Sequence, residues 1–275
     1  MDELKRVGLI GLGAMGRPMA RHLMAKGFTV FGYDPVATAQ EKALLLGVTL
    51  ESTPADVARE SQIVLVVVGF DSDVERAFFN KCGLMEAARP GLIIAIGSTI
   101  APSYARELAT RIEGSGIELI DMPLTRGEGA AEAGKMLVLG GGDPHVFERC
   151  KPVFATFASD VFHLGPFGAG QVGKMVNNMM LWACMAATDE GLRFAEKMNV
   201  DREKLREALG HSSAQNWSMT TRAEEKPTPW AEKDMMIAMQ EADNVRMSLP
   251  LSGIVRELIK DFKIRMNYPT PKVPK

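Results

Sequence analysis

Short aliphatic runs recur along the first part of the chain, at Val7–Ile10, Thr29–Tyr33, Ile63–Val68, Leu92–Ile96, Glu118–Asp121, Met136–Leu139 and Val161–His163. Most are apolar at consecutive positions, which suits strands covered on both faces. Helix-like segments lie between them, at Gly16–Lys26, Ala37–Leu46, Val74–Phe79, Pro102–Ile112 and Pro144–Phe154. Strand and helix in alternation predict an α/β fold, with a doubly wound and largely parallel sheet.

The stretch Gly165-Pro166-Phe167-Gly168-Ala169-Gly170 breaks this rhythm, because glycine and proline punctuate structure. It predicts a boundary between an N-terminal domain, 1–165, and a C-terminal domain, 166–275. Residues 171–198 then read as one long interdomain helix, about 40 Å at 1.5 Å per residue. Its middle, Met179–Ala187, is apolar on every side, which predicts the core of an all-helical second domain. Further helices are expected at 201–209, 231–245 and 250–265, and an extended surface tail at Pro269–Lys275. So apolar a helix in a domain of about 105 residues exceeds what one subunit covers, so pairing of subunits is expected.

Composition narrows the function classes. The 275 residues are 46% hydrophobic and 24% charged, ordinary for a globular protein of about two domains. Lys plus Arg number 32 against 34 Asp plus Glu, a net charge of −2. There is no basic excess for nucleic acid and no polybasic membrane contact. The longest uninterrupted apolar run, Met179–Ala187, falls short of the roughly 20 residues of a membrane span. The expectation is a cytoplasmic protein with no nucleic-acid or membrane partner. Cys82, Cys150 and Cys184 lack the spacing of a disulfide framework or zinc site, and read as buried free thiols. His22, His145, His163 and His211 show no metal-ligand spacing, so no metal is expected. Many of the 18 methionines fall in the helical part and read as core or interface filler.

Chemistry enters at Gly11-Leu12-Gly13-Ala14-Met15-Gly16, which follows a strand and opens a helix. Gly11 permits the tight turn, Gly13 lets backbone approach a pyrophosphate, and Gly16 allows close helix–strand packing. The N–H groups at the helix start would then receive the phosphate charge. The second strand ends in Asp34, 21 residues after Gly13, where a carboxylate can accept from the adenosine ribose hydroxyls. A 2′-phosphate there would face a like charge, and Pro35 and Val36 offer no arginine to receive it. The expected cofactor is therefore NAD rather than NADP.

Four blocks together resemble the beta-hydroxyacid dehydrogenase family, which includes 3-hydroxyisobutyrate dehydrogenase and tartronate semialdehyde reductase. They are Gly8–Met19 (GLIGLGAMGRPM), Gly97-Ser98-Thr99, Asp121–Gly142 (DMPLTRGEGAAEAGKMLVLGGG) and Gly168–Asn178 (GAGQVGKMVNN). The resemblance implies a Rossmann-type domain followed by an all-α domain, and a dimer or tetramer. It implies that Lys174 is catalytic. A hydride leaves a carbinol carbon only if the hydroxyl proton is also removed, and a lysine on that oxygen can take or return it. Asn178 lies one helical turn after Lys174, with Asn177 flanking the same stripe. By similarity, Asn178 and Asn177 meet the substrate. Thr99 matches a position that meets the nicotinamide ribose, and Val68 stands where the family commonly has Leu-Pro, with a main-chain contact to the cofactor expected there. Lys233 resembles a late lysine that reaches the cofactor, although the preceding segment Asn216–Trp230 is shorter than the family pattern.

The third block departs from the family, which usually carries Ser-Gly-Gly. Here Leu124-Thr125-Arg126-Gly127 keeps a hydroxyl at Thr125 and places Arg126 where a glycine is usual. The pattern resembles sulfolactaldehyde reductases, whose arginine recognises a sulfonate. Thr125, Arg126 and Gly127 are thus expected to bind a substrate with a strong anion, carboxylate or sulfonate, since a guanidinium pairs with two oxygens. The implied activity is an NAD-dependent dehydrogenase of a small 3-hydroxy acid and its semialdehyde. Two other readings share the fold: an NADPH-dependent imine reductase, and a non-catalytic dinucleotide-binding module. Lys174 with Asn178 counts against both.

Overall fold

The computed structural model describes residues 3–221, 228 and 230–269. It resolves into two compact units, Met1–Lys174 and Met175–Lys275. The boundary expected at 165/166 lies ahead of the long helix, whereas this division falls inside it.

In the first unit, β1 (Arg6–Ile10), β2 (Thr29–Tyr33), β3 (Thr49–Leu50), β4 (Ile63–Val66), β5 (Ile93–Ile96) and β6 (Glu118–Asp121) form a six-stranded sheet. All pairings are parallel and the order is 3-2-1-4-5-6. The continuous aliphatic runs explain themselves here. Ile63, Leu65, Ile93 and Ala95 point to one face, packing with α1 (Gly16–Ala25) and α7 (Pro144–Phe154) through Met19, Leu23, Phe147 and Phe154. Val64, Val66, Ile94 and Ile96 point to the other. There they meet α3 (Pro54–Glu60), α4 (Asp71–Phe79) and α5 (Pro102–Arg111). A sheet buried on both faces needs no polar alternation. The connection from β2 to β3 carries α2 (Ala37–Leu44).

A second, three-stranded sheet pairs β7 (Leu124–Thr125) antiparallel with β8 (Met136–Gly140), and β8 parallel with β9 (Ala158–His163). Between β7 and β8 runs the short α6 (Gly127–Ala133). The aliphatic pattern did not announce β3, β7, α3 or α6. Two-residue strands are too short to show a period. α3 did carry a local signal in Thr53-Pro54-Ala55-Asp56: the Thr53 Oγ1 accepts from the Asp56 N–H at 3.1 Å, and proline occupies the first turn.

α8 (Ala169–Lys197) starts in the first unit and continues into the second. The second unit adds α9 (Arg202–Leu209), α10 (Trp217–Thr221), α11 (Ala231–Asn244) and α12 (Pro250–Arg265). Its core gathers Trp182, Ala231, Met235, Val255 and Ile259. A buried ion pair, Lys263 Nζ to Glu232 Oε2 at 2.6 Å, ties α12 to α11. Within the apolar stretch Met179–Ala187, Trp182 is buried in this core, whereas Met180 is 66% exposed, because this small cluster covers one face of the helix only. Cys150 is buried, which pushes its thiol up to about 12, while Cys82 and Cys184 are only half-buried; all three are free. No helix among the described residues is long and apolar enough to cross a membrane. The tail from 270 onwards lies outside the described residues, as do 222–227 and 229 in the segment before Lys233.

Candidate active site

One register row crosses the six-stranded sheet: Tyr33, Ile10, Val66, Ile96 and Asp121 are successive neighbours. Because these strands are parallel, the residues just past the row all begin loops on the same edge. That edge is where open α/β sheets bind ligands, at the reversal of strand order between β1 and β4. Asp34, Gly11–Gly16, Val68, Thr99 and the segment Thr125–Gly127 all follow strands ending at or next to this row, although they are scattered along the chain.

At β1 the glycines are required sterically. Gly11 has φ +99°, and a Cβ there would fall 2.2 Å from the Val67 carbonyl oxygen. A Cβ on Gly16 would fall 2.0 Å from the Gly11 oxygen. Gly13 is different: nothing lies within 4 Å of where its Cβ would stand, and Gly13 and Ala14 are exposed while Gly11, Leu12 and Gly16 are buried. Met15 leads into α1, whose start has no side-chain cap. An open cradle facing uncapped N–H groups fits a dinucleotide pyrophosphate. Asp34 is 8% exposed. Its Oδ2 accepts from the Leu12 N–H at 2.8 Å and its Oδ1 from the Val36 N–H at 2.9 Å. These bonds fix the carboxylate at the end of β2 while leaving lone pairs for a ribose.

A hydrogen-bonded chain then joins the cofactor loops to α8. The Val68 N–H donates to Ser98 Oγ at 2.8 Å. Gln171 donates from Nε2 to the Ser98 carbonyl at 2.9 Å and accepts at Oε1 from the Ile100 N–H at 3.1 Å, so Thr99 is held from both sides. The first turn of α8 is capped by Asp121, which is fully buried and accepts from the N–H groups of Gly168 at 2.9 Å and Gln171 at 2.8 Å. Burial pushes the Asp121 carboxyl above its ordinary value, against the pull of those N–H donors. Sequence reasoning assigned no role to Asp121, Gln171 or Ser98. Their only signal was their place inside the quoted blocks, and a charge closing an aliphatic strand.

One turn past Gln171, Lys174 Nζ donates to the Leu124 carbonyl at 2.7 Å. The amine thus sits at the start of the expected substrate loop. The next residue, Thr125, is 4% exposed, and its Oγ1 has no hydrogen-bond partner among the described residues. Arg126 and Gly127 both have positive φ, +76° and +74°. Arg126, expected to meet a substrate anion, directs Nη1 to Asp160 Oδ2 at 2.6 Å, Ser159 Oγ at 2.9 Å and the Lys135 carbonyl at 3.2 Å.

In the second unit, Asn178 is buried and donates from Nδ2 to Asp234 Oδ2 at 2.8 Å. Trp182 Nε1 donates to the same oxygen at 3.1 Å, and Asn177 Nδ2 donates to Asn178 Oδ1 at 2.9 Å. These bonds set which way the Asn178 amide faces. Lys233 Nζ lies 5.8 Å from the centre of the Trp230 ring. Asp234, the acid next to Lys233, is what organises Asn178. Among the described residues no three His, Cys, Asp or Glu side chains gather as a metal site.

Residues 6–165 match the family described as the NAD binding domain of 6-phosphogluconate dehydrogenase. Residues 168–268 match the one described as NAD-binding of NADP-dependent 3-hydroxyisobutyrate dehydrogenase. The chain belongs to the beta-hydroxyacid dehydrogenase family. Among its relatives is the NAD-dependent L-serine dehydrogenase of Pseudomonas aeruginosa, 30% identical over 82% of this chain and 74% of the relative. The human mitochondrial 3-hydroxyisobutyrate dehydrogenase is 32% identical over 78% of this chain and 64% of that one. In structure, the Mycobacterium tuberculosis 3-hydroxyisobutyrate dehydrogenase with L-serine superimposes with a TM-score of 0.84 at 26% identity, covering 97% of this chain and 96% of that chain. This beta-hydroxyacid dehydrogenase is thus an oxidoreductase with a nicotinamide dinucleotide cofactor and the α/β-then-helical fold of its relatives.

Proposed function

We propose that the enzyme transfers a hydride between NAD(H) and a small 3-hydroxy acid/semialdehyde pair, with Lys174 moving the proton on the substrate oxygen. The observation that carries this reading is the Lys174 amine bound to the Leu124 carbonyl, one residue from the unpartnered buried hydroxyl of Thr125. Bound nicotinamide supplies the hydride acceptor or donor. In oxidation, the neutral Lys174 amine takes the hydroxyl proton as the carbinol hydrogen leaves; in reduction, the ammonium returns it. The Thr125–Gly127 loop holds the substrate's anionic group, with Asn177 and Asn178 orienting the rest. Gly11–Gly16 cradle the pyrophosphate, Asp34 takes the ribose, Thr99 meets the nicotinamide ribose, Val68 touches the cofactor through its main chain, and Lys233 completes the cofactor site. Asp34 favours NAD because a 2′-phosphate would meet its charge. Residues 1–165 act as the cofactor domain and 166–275 as the substrate and oligomerisation domain. Exposed Met180, Phe194, Leu251 and Ile254 support a homodimer or homotetramer. The three free thiols suit a reducing, cytoplasmic setting.

A panel of three- and four-carbon hydroxy acids, hydroxy sulfonates and semialdehydes, run with NAD(H) and NADP(H), tests the substrate class. Lys174→Ala should lower kcat at least about 10²-fold, the low end for acid–base catalysis, while NAD binding persists. An unchanged rate in that variant would overturn the assignment.

A further inference from the structure

We propose that Arg126 is a positioning residue: its guanidinium latches the Thr125–Gly127 loop to β9, so that the Thr125 hydroxyl and the loop backbone, not the arginine, meet the substrate's carboxylate. The inference rests on the hydroxy-acid reading of this site.

Three independent features converge on the latch. The first is register. Thr125 pairs with Leu137 on β8, and Leu137 pairs with Asp160 on β9, so these three form one row and Arg126 stands just past it. The second is an irregularity in β9. Met136 pairs with Ala158 but Leu137 with Asp160, which leaves Ser159 as an extra residue. A bulge re-aims side chains that would otherwise alternate across the sheet. Ser159 Oγ donates to Asp160 Oδ2 at 2.8 Å, and both oxygens meet Arg126 Nη1. The third is the backbone of Arg126, at φ +76° and ψ −4°. A residue other than glycine rarely holds this conformation, and does so where its surroundings over-determine it. Asp160, Ser159 and the Lys135 carbonyl supply that determination. The hydroxyl of Ser159 and the guanidinium of Arg126 also hold the Asp160 carboxyl below its ordinary range.

A half-exposed ion pair adds little to global stability. Its effect here is local: it restricts where one loop can go. Next to it, Thr125 Oγ1 is buried without a partner, the condition expected of a group whose acceptor or donor arrives with a ligand.

The test compares the full-length enzyme with Arg126→Gly, Asp160→Asn and the double variant. Glycine tolerates the left-handed backbone, so Arg126→Gly removes the latch without adding strain. Steady-state kinetics use NAD with 3-hydroxyisobutyrate and L-serine; amide hydrogen exchange of residues 124–135 is followed without substrate. A latch predicts that both single variants raise KM by about tenfold with kcat within about threefold, and that the double variant is no worse than either, as for residues in one network. Exchange in 124–135 should quicken in both. A KM rise in Arg126→Gly alone, or additive losses, would assign the guanidinium to the substrate and overturn the latch. Unchanged KM in both variants, or unchanged exchange, overturns it as well. Should the wild-type enzyme turn over no hydroxy acid, the functional reading fails, while exchange still decides whether the latch exists.

Discussion

A buried hydroxyl without a partner costs free energy until something pairs with it. Thr125 Oγ1 is such a group, on the residue that follows the carbonyl bound by the Lys174 amine. Thr125→Val keeps the shape and removes the orphaned oxygen. The variant should be as stable as the parent or up to about 1 kcal/mol more stable, while KM for the hydroxy acid rises about tenfold. Thermal melts alongside kinetics check both halves; a falling melting temperature with unchanged KM would contradict it. Asp34 presents the opposite case, a charge whose partners are already in place. Asp34→Ser loses two backbone N–H bonds and the ribose acceptor, each charge-assisted, so KM for NAD should rise at least about tenfold and the preference over NADP should shrink. The place of Asp34 at the end of β2 was legible from its spacing to the glycines. The burial of Thr125 was not, because a hydroxyl in a loop-like segment reads the same whether it faces water or protein. Nor could spacing alone show that the Arg126 guanidinium turns to Asp160, a residue far along the chain.

Among the elements, α8 matters most, and Asp121 begins it. Its two oxygens each accept one N–H from the helix start. Asn in its place can accept with one oxygen only and turns an amide N–H₂ towards a donor. Asp121→Asn should cost about 2 kcal/mol, read from urea midpoints, and should lower kcat because Lys174 rides on the loosened turn. Full stability and full kcat together would exclude this role. α4 and α5 are joined by a different device. Glu75 accepts from Tyr104 Oη at 2.9 Å and from both terminal nitrogens of Arg111 at 2.8 Å, and Arg111 stacks 3.8 Å from the Phe79 ring centre. Chiefly through Arg111, the Glu75 carboxyl is held below its ordinary value of 4.5. A depressed carboxyl contributes stability above the unfolded-state value and loses it as pH falls through the folded one. Stability of the parent should therefore drop more steeply below pH 4.5 than that of Glu75→Gln, measured by denaturant midpoints across the acid range. Helices between the aliphatic runs, such as α1, α5 and α7, were legible in the sequence. The Glu75 clamp was not, since its partners come from two helices with no local signature.

For the whole molecule, the exposed apolar side chains of the second unit are the outstanding feature. Met180 and Phe194 on α8, and Leu251, Ile254 and Ile264 on α12, stand in water in a single chain. Light scattering should give a mass at least twice the 29.9 kDa of one chain, and Ile254→Lys should reduce it. A monomeric parent would refute this. By itself the sequence determined the alternation of strand and helix, the glycine turn with its acid, and the family. These are local: a period, a steric demand or a fixed spacing needs only neighbouring residues to express it. The tertiary structure alone decided which scattered loops share one register row, that Asp121 caps α8, that Asp234 turns Asn178, and that Arg126 answers to Asp160. Each of those depends on which chain segments become neighbours, and a hydrogen bond between residues far apart in sequence leaves no periodic trace along it.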